Sequence, residues 1–204
     1  MSAKGLVGLA SALLVTAMIL VPSASAQTTT QQDPPGAQAE TVRSSLLTPA
    51  QARRATGFRS TLEADPMAGP QGQSCFSGST TWTCDGWFIT ERTGSAYPAG
   101  VAITVAASGP QAEAVLFALA GETAARTGNR VLASNPRLLI SYETGLAVGQ
   151  DLTPAVSVTV QRVQGSMIVM GTCQVEQRRL GLVSLRTCAE RLQRVQGRRA
   201  AWPA

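Results

Sequence analysis

Four cysteines set the strongest constraint on the fold of this chain. They form two pairs of near neighbours along the sequence, Cys75 with Cys84 and Cys173 with Cys188. An even number of cysteines in an exported chain indicates disulfide bonds. Four cysteines allow three connectivities, and we favour the pairing of neighbours because each bond then joins two adjacent segments. Each such bond contributes roughly 2 to 3 kcal/mol to the free energy of unfolding in the chain-entropy model.

The cysteine spacing also bears on metal and redox chemistry. Zinc sites use compact Cys-x2-4-Cys pairs or added histidines, whereas these cysteines are more widely spaced and the chain has no histidine. A Cys-x-x-Cys redox motif does not occur either. We therefore predict structural disulfides and no metal site.

Residues 1–26 carry the evidence for export. One basic residue, Lys4, precedes an apolar run over 6–21, and the small residues 24–26 end the segment. This order is typical of a secretory signal peptide cleaved before Gln27, and the run is short for a transmembrane anchor. We expect a secreted protein, periplasmic or extracellular, with no transmembrane anchor after signal cleavage.

The residue types that are missing exclude several catalytic mechanisms. Lys4 is the only lysine, so signal cleavage leaves 16 arginines against 12 Asp and Glu. Without histidine or lysine there is no Ser-His or Ser-Lys pair, no Schiff base and no phosphate-loop lysine. Carboxylate chemistry of the glycosidase type remains, with Asp85 and Glu91 as candidate acids. We interpret both as solvated strand-edge charges, and predict no enzyme, no catalytic residue and no cofactor.

Composition divides the chain into four segments. After the signal peptide at 1–26, residues 27–45 are rich in Gln, Thr and Pro and poor in apolar residues, which predicts a disordered tether. Residues 46–196 are predicted to form a single domain, and 197–204 a flexible tail. The length of the mature chain suits one hydrophobic core.

Three helices are predicted within the domain. The first, over 48–57, has the signals of a capping box and a left-handed end. An i, i+3, i+4 apolar stripe predicts the second over 110–127, and the third begins at Thr187 with Glu190 as its capping-box partner. The signals of the first helix are Thr48, Pro49, Gln51 and Gly57.

Strands are indicated where the apolar period changes to two. They cover 80–92, 101–108 and 137–144, followed by a hairpin over 156–173 that turns at Gln164-Gly165. Asp85-Gly86 suggests a bulge or tight turn inside the first strand. The fold class is therefore α+β: an antiparallel sheet of about five strands with three helices on one face, two layers and two disulfides.

Two groups of residues are candidates for ligand binding. The aromatic residues Trp82, Trp87 and Phe88 cluster in sequence, and Tyr97 or Tyr142 could join them; core packing is the alternative. Polar strand positions form the second group, which could be an uncovered sheet face that receives a ligand or partner; a simply solvated face is the alternative. These positions are Thr104, Ser141, Ser157, Thr159 and Gln161. The ligand-binding candidates that we select are Trp82, Trp87, Phe88, Tyr142 and Thr159.

Arginines crowd the C-terminal end. The last 27 residues hold seven of them, opposed only by Glu190: Arg178, Arg179, Arg186, Arg191, Arg194, Arg198 and Arg199. Such a helix suits anionic polymers, lipid headgroups or an acidic protein, although an ordinary soluble surface has the same composition. Arg191, Arg194 and Arg198 are the candidates for partner binding. Nucleic acid is disfavoured, because the protein is exported and no stacking aromatics interleave with the arginines.

The chain as a whole resembles a known group of proteins. The features that carry the resemblance are the signal peptide, the tether, the opening helix "LLTPAQARRATG", the two local cysteine pairs, and the alternation of strands with a central and a final helix. They are similar to bacterial secreted sensor-type domains, such as the extracellular domain of PknH-like receptor kinases and its stand-alone relatives. The resemblance covers about residues 46–196 and lies in element order and cysteine placement. It implies binding of an envelope ligand in a cleft beside the sheet, without catalysis.

The predicted function is that of a secreted, non-enzymatic binding or sensor-like domain in the cell envelope or periplasm. Its partner is an unknown envelope ligand or protein. The alternative is a protein-interaction accessory or inhibitor that uses the basic C-terminal helix.

Overall fold

The computed structural model describes residues 36–66, 72–78, 80–90, 98–148, 153–176 and 182–200. These ranges contain four helices and eight strands. In chain order they are α1 (Gly36–Ser45), α2 (Pro49–Thr56), β1 (Glu63–Ala64), β2 (Gln73–Ser77), β3 (Thr81–Ile89), β4 (Ala99–Ala106), α3 (Gly109–Ala125), β5 (Arg130–Asn135), β6 (Leu138–Val148), β7 (Thr153–Gln164), β8 (Met167–Glu176) and α4 (Leu182–Arg199).

All eight strands belong to one antiparallel sheet. Its order is β1-β3-β4-β8-β7-β6-β5, and β2 also pairs with β3. The predicted hairpin is confirmed as β7 and β8, which pair from Gln164↔Met167 to Ala155↔Glu176. Gly165 begins the turn at φ 60°, a left-handed conformation that glycine adopts without a steric penalty.

Helices cover both faces of the sheet. Val101, Val158 and Cys173 share the main core with residues of α1, α2 and α4. A second, smaller core forms on the other face, where Leu116 of α3 packs against Leu139 and Ile168. The α+β class and the antiparallel sheet are confirmed, but the prediction of two layers is wrong. Apolar residues at one end of the second face need a cover, and α3 supplies it.

The helix signals near Thr48 are confirmed. The side chain of Thr48 accepts a hydrogen bond from the backbone N–H of Gln51, and Gln51 returns one to the backbone of Thr48. Gly57 ends α2 in the left-handed conformation, at φ 74°. By contrast, α4 begins at Leu182, before the predicted Thr187. Thr187 donates its hydroxyl to the carbonyl of Val183 inside the helix and is not a cap.

Both ends of the predicted domain differ from expectation. Residues 36–45, expected to lie in a disordered tether, form α1, and Val42 is completely buried in the main core. Few apolar residues suffice here because Ala39 and Val42 lie on one helix face against the Cys75–Cys84 region. At the other end, α4 continues through Arg199 into the predicted flexible tail. The predicted signal peptide, residues 27–35 and residues 201–204 lie outside the described residues.

The strand count exceeds the predicted five. β1, β2 and β5 are short or carry little apolar alternation, so the period of two does not identify them. The suggested bulge at Asp85-Gly86 is absent, because the pairs Asp85↔Ala102 and Gly86↔Val101 continue the β3–β4 register without interruption.

Both predicted disulfides are present. Cys75 and Cys84 lie directly opposite each other on β2 and β3 and are bonded. Cys173 of β8 is bonded to Cys188 of α4, which fastens the C-terminal helix to a central strand. Among the described helices, none is long and apolar enough to cross a membrane.

Candidate functional site

A groove opens on the α3 side of the sheet, where the helix does not cover the strands. We call it the polar groove, and its volume is about 320 Å³. Its floor comes from β6, β7 and β8, one wall from β3 and the other from the C-terminal half of α3. The lining residues are Trp87, Leu119, Glu122, Thr123, Arg126, Ser141, Glu143, Ser157, Thr159, Gln161, Met170, Thr172 and Gln174.

Short polar side chains lie in register across the floor. Ser141 of β6 pairs with Thr159 of β7, and Thr159 pairs with Thr172 of β8. A parallel row places Ser157 opposite Gln174. Successive residues of a strand point to opposite faces, so these polar residues share the groove while the valines between them enter the main core.

The hydroxyls of the central row form a chain of hydrogen bonds. Thr172 donates from Oγ1 to the carbonyl of Val158 at 3.2 Å. Oγ1 of Thr172 also lies 2.9 Å from Oγ1 of Thr159. Either hydroxyl can be the donor of that second bond. A hydroxyl has one hydrogen and two lone pairs, so Thr159 keeps hydrogen-bonding capacity for the groove whichever group donates.

Two further hydroxyls of the floor have no hydrogen-bond partner among the described residues. Ser141 and Ser157 are each only 4% exposed. Neither side chain makes a hydrogen bond to any residue in the part of the chain that the structure describes. Their hydroxyl oxygens are not among the enclosed polar atoms that lack a partner, so they remain accessible from the groove. These serines therefore offer hydrogen-bonding capacity to whatever fills the groove.

Trp87 forms the aromatic wall. Its indole lies over Gly100: a Cβ added to Gly100 would be 2.5 Å from Trp87 Cε3 and 3.1 Å from Thr172 Cγ2. The indole N–H donates to Asp85 Oδ2 at 2.9 Å, and Ser74 Oγ donates to Asp85 Oδ1 at 2.6 Å. Asp85 thus fixes the orientation of the ring beside the polar floor.

The second wall follows from the length of α3. Ser108 caps the helix, and its first turns cover the apolar end of the sheet through Ala112 and Leu116. Its last turns overhang the polar strand positions with Leu119, Thr123 and a loose pair, Arg126 with Glu122 at 4.0 Å. The strand residues beneath α3 change from apolar to polar along the helix. The groove stays open at the polar end because the short polar side chains there do not pack against the helix.

The structure separates the predicted ligand-binding residues. Trp87 and Thr159 line the polar groove, together with Ser141, Ser157 and Gln161 of the predicted polar face. Trp82, Phe88 and Tyr142 lie on the opposite face and pack in or against the main core, with Phe88 only 2% exposed. The parity of the strand positions explains this, since residues 82 and 88 differ from residue 87 by an odd number. Tyr97 lies outside the described residues.

Of the two candidate acids, the structure describes only Asp85. Both carboxylate oxygens of Asp85 accept hydrogen bonds, from Ser74 and Trp87. Glu91 lies outside the described residues. The absence of enzyme activity stays a prediction.

The candidate arginines are exposed along α4, as expected for a basic helix. Arg194 and Arg198 line a separate cleft with Arg162 of β7, and Arg191 does not. Their role in partner binding stays a prediction.

Sequence reasoning missed several lining residues. The hairpin turn at Gly165 fixes which residue of β8 faces which residue of β7, so Thr172 and Gln174 could have been found opposite Thr159 and Ser157. Leu119, Glu122 and Arg126 carry no such signal, because only the placement of α3 brings them to the groove.

Comparisons with known proteins give weak similarity to solved structures and no match elsewhere. No protein-family model matches the chain, and no curated protein matches it. Among solved structures, the chain is similar to the extracellular domain of PknH from Mycobacterium tuberculosis, with 12% sequence identity and a TM-score of 0.40. The match covers 81% of this chain and 98% of that one. At this TM-score the similarity is a weak structural resemblance only.

Proposed function

We propose that this chain is a secreted, non-enzymatic binding domain of the sensor-like kind, acting in the cell envelope or periplasm. The polar groove is its ligand site. Two disulfides suit an oxidising compartment outside the cytoplasm. The observation that carries the proposal is the pair of largely buried serines, Ser141 and Ser157, which line the groove beside Trp87 and whose hydroxyls make no hydrogen bond to the described residues.

The chemistry of the lining indicates a neutral, polyhydroxylated ligand such as an envelope glycan. Hydroxyls and the amides of Gln161 and Gln174 supply both donors and acceptors. The indole of Trp87 offers an apolar plane on which a sugar ring can lie, with a polar floor next to it. A few convergent polar groups beside an aromatic wall are typical of small-molecule sites.

The charges of the groove support a neutral ligand. They lie at its rim and nearly cancel: Glu122 and Glu143 are acidic, and Arg126 is basic. A strongly anionic or cationic ligand would meet no concentration of opposite charge there.

The test is a thermal-shift screen of the oxidised protein against neutral envelope oligosaccharides, at low and high salt. A ligand that binds only the folded state raises the midpoint by mass action. We expect a shift that persists at high salt, because screening weakens charge interactions and leaves hydroxyl contacts intact.

A matched pair of variants locates the site. Thr159 and Thr104 lie on the same sheet face and each contacts another threonine hydroxyl at 2.9 Å, but only Thr159 lines the groove. We expect Thr159→Val to weaken binding roughly tenfold and Thr104→Val to change it less than about twofold. Equal effects of the two variants, or a screen without any shift, would overturn the proposal.

A further inference from the structure

A second cavity lies on the opposite face of the sheet, between β7 and the C-terminal half of α4. We call it the basic cleft, and its volume is about 460 Å³. It has no lining residue in common with the polar groove. Its lining residues are Val160, Arg162, Gln164, Glu190, Gln193, Arg194, Gly197 and Arg198.

Positive charge dominates this cleft. Arg162 projects from the strand, and Arg194 and Arg198 project from the helix. Over the described ranges, none of these three guanidinium groups has an ion pair or hydrogen bond to protein. The one acid, Glu190, accepts a hydrogen bond from Arg186 Nε at 2.8 Å. Three uncompensated arginines around one cavity attract an anion.

Gln193 provides an independent sign of a missing partner. The residue is only 4% exposed, and its Nε2 makes no hydrogen bond to any of the described residues. Leaving a buried donor unsatisfied is unfavourable, and nearly all such groups in folded proteins have a partner. Because Gln193 lines the basic cleft, an acceptor bound there would satisfy it.

The donors surround the cleft from two elements. A Cβ on Gly197 would lie 2.5 Å from Nε2 of Gln164, so the absence of a side chain at residue 197 leaves room for this amide beside the helix. Guanidinium forks from both walls and two amides offer more N–H groups than the two oxygens of a carboxylate can accept. A phosphoryl group, with several charged oxygens, matches this donor set better.

We propose that the basic cleft binds a phosphoryl group through Arg162, Arg194 and Gln193. The group can belong to a soluble phosphate or to the headgroup of an anionic phospholipid, since both present the same oxygens. This inference is separate from the function proposed for the polar groove.

Titration of the oxidised protein with inorganic phosphate tests the first source. Nitrogen-edited NMR measures the binding through the signals of the side-chain amides and guanidinium groups. Sodium chloride at matched ionic strength is the control for screening. We expect the Gln193 amide signal to shift with phosphate and not with chloride. Co-sedimentation with phosphatidylcholine vesicles, with and without phosphatidylglycerol, tests the second source.

Variants of α4 decide whether binding is specific. Arg194→Gln and Arg191→Gln remove the same charge from the same helix, but only Arg194 lines the cleft. We expect Arg162→Gln, Arg194→Gln and Gln193→Leu each to weaken binding roughly tenfold, and Arg191→Gln to change it less than about twofold. Gln193→Leu also removes the unsatisfied donor, so its loss of binding should come without a loss of stability.

If binding of phosphate or of phosphatidylglycerol vesicles depends on Arg194 and Gln193, the proposal is supported. The experiment in which the dependence occurs identifies the source of the phosphoryl group. Equal effects of Arg191→Gln and Arg194→Gln would show nonspecific surface charge and overturn it. Failure of both phosphate and phosphatidylglycerol vesicles to bind would also overturn it. Thr159→Val, in the polar groove, should leave phosphate binding unchanged, so the two proposals fail or succeed independently.

Discussion

At the scale of single residues, Gly100 shows how the polar groove obtains its wall. The indole of Trp87 occupies the space in which any other residue at position 100 would place its Cβ. Asp85 holds the ring there by accepting from its N–H. The glycine is thus required by close approach and not by backbone conformation, since its φ is not among the positive values.

We predict that Gly100→Ala lowers the free energy of unfolding by about 1 to 3 kcal/mol, because an added methyl group overpacks this contact. Displacement of the indole should also shift the tryptophan fluorescence. Gly121→Ala is the control, since Gly121 is exposed on α3 with nothing within 4 Å of the added Cβ. It should be neutral or stabilise the helix by up to about 1 kcal/mol. If Gly100→Ala and Gly121→Ala unfold at the same urea concentration, the close contact between Gly100 and Trp87 is contradicted.

At the scale of elements, Gln196 joins the N-terminal helices to α4. Its side chain is completely buried. Oε1 accepts from the backbone N–H of Leu47 at 2.9 Å, and Nε2 donates to the carbonyl of Ser45 at 3.1 Å. These bonds satisfy the carbonyl of Ser45 and the N–H of Leu47, which lie where α1 ends and before α2 begins and so have no partner within a helix.

We predict that Gln196→Leu destabilises the protein by about 1 to 3 kcal/mol, because the N–H of Leu47 is left buried without a partner. The carbonyl of Ser45 retains Arg199 Nε at 3.2 Å, so the loss concerns one group. Gln193→Leu, the same change on the same helix, removes no hydrogen bond that the described residues make. Urea unfolding of the two variants should therefore differ clearly, and similar losses would show that volume alone matters.

At the scale of the whole molecule, two disulfides cross-link the fold, one within the sheet and one between the sheet and α4. Cys75–Cys84 closes a short loop at one sheet edge, and Cys173–Cys188 fastens α4 to β8 across a longer one, with sequence separations of 9 and 15. A longer loop restricts the unfolded chain more. The second bond should therefore be the more stabilising one.

We predict that replacing Cys173 and Cys188 together by Ala costs about 3 kcal/mol, and that replacing Cys75 and Cys84 costs slightly less. Urea unfolding with and without reductant measures both effects. Reductant should lower the midpoint of the unsubstituted protein by more than that of either variant. An unchanged midpoint would show that the bonds contribute nothing to stability.

The predicted signal peptide gives a prediction for the chain as a whole. When the gene is expressed with its leader in a bacterial host, the exported protein should begin at Gln27, because small residues precede it and an apolar run precedes them. N-terminal sequencing or intact mass measures this directly. Retention of residues 1–26 in the exported form would contradict the signal-peptide interpretation.

Much of the fold was predictable from local pattern. The capping box of α2, the apolar stripe of α3 and the hairpin of β7 and β8 depend on neighbours in sequence, and each was identified. α1 was missed because its composition is polar and contacts such as those of Val42 hold it in place. The first turn of α4, which contains Leu182, Val183 and Leu185, was missed because the helix start was assigned to Thr187. The bulge expected at Gly86 failed because pairing with β4 overrides the local preference.

The sequence by itself indicated the disulfide pairs and the α+β class, through the spacing of the cysteines and the order of helical and strand patterns. It also determined that Ser157, Thr159 and Gln161 share one sheet face, because side chains two residues apart along a strand point the same way. Only the tertiary structure decided which face α3 covers, that Trp87 and not Trp82 reaches the groove, and that Arg162 meets Arg194. Those relations join residues far apart in the chain, and they follow from how whole elements bury their apolar faces against one another.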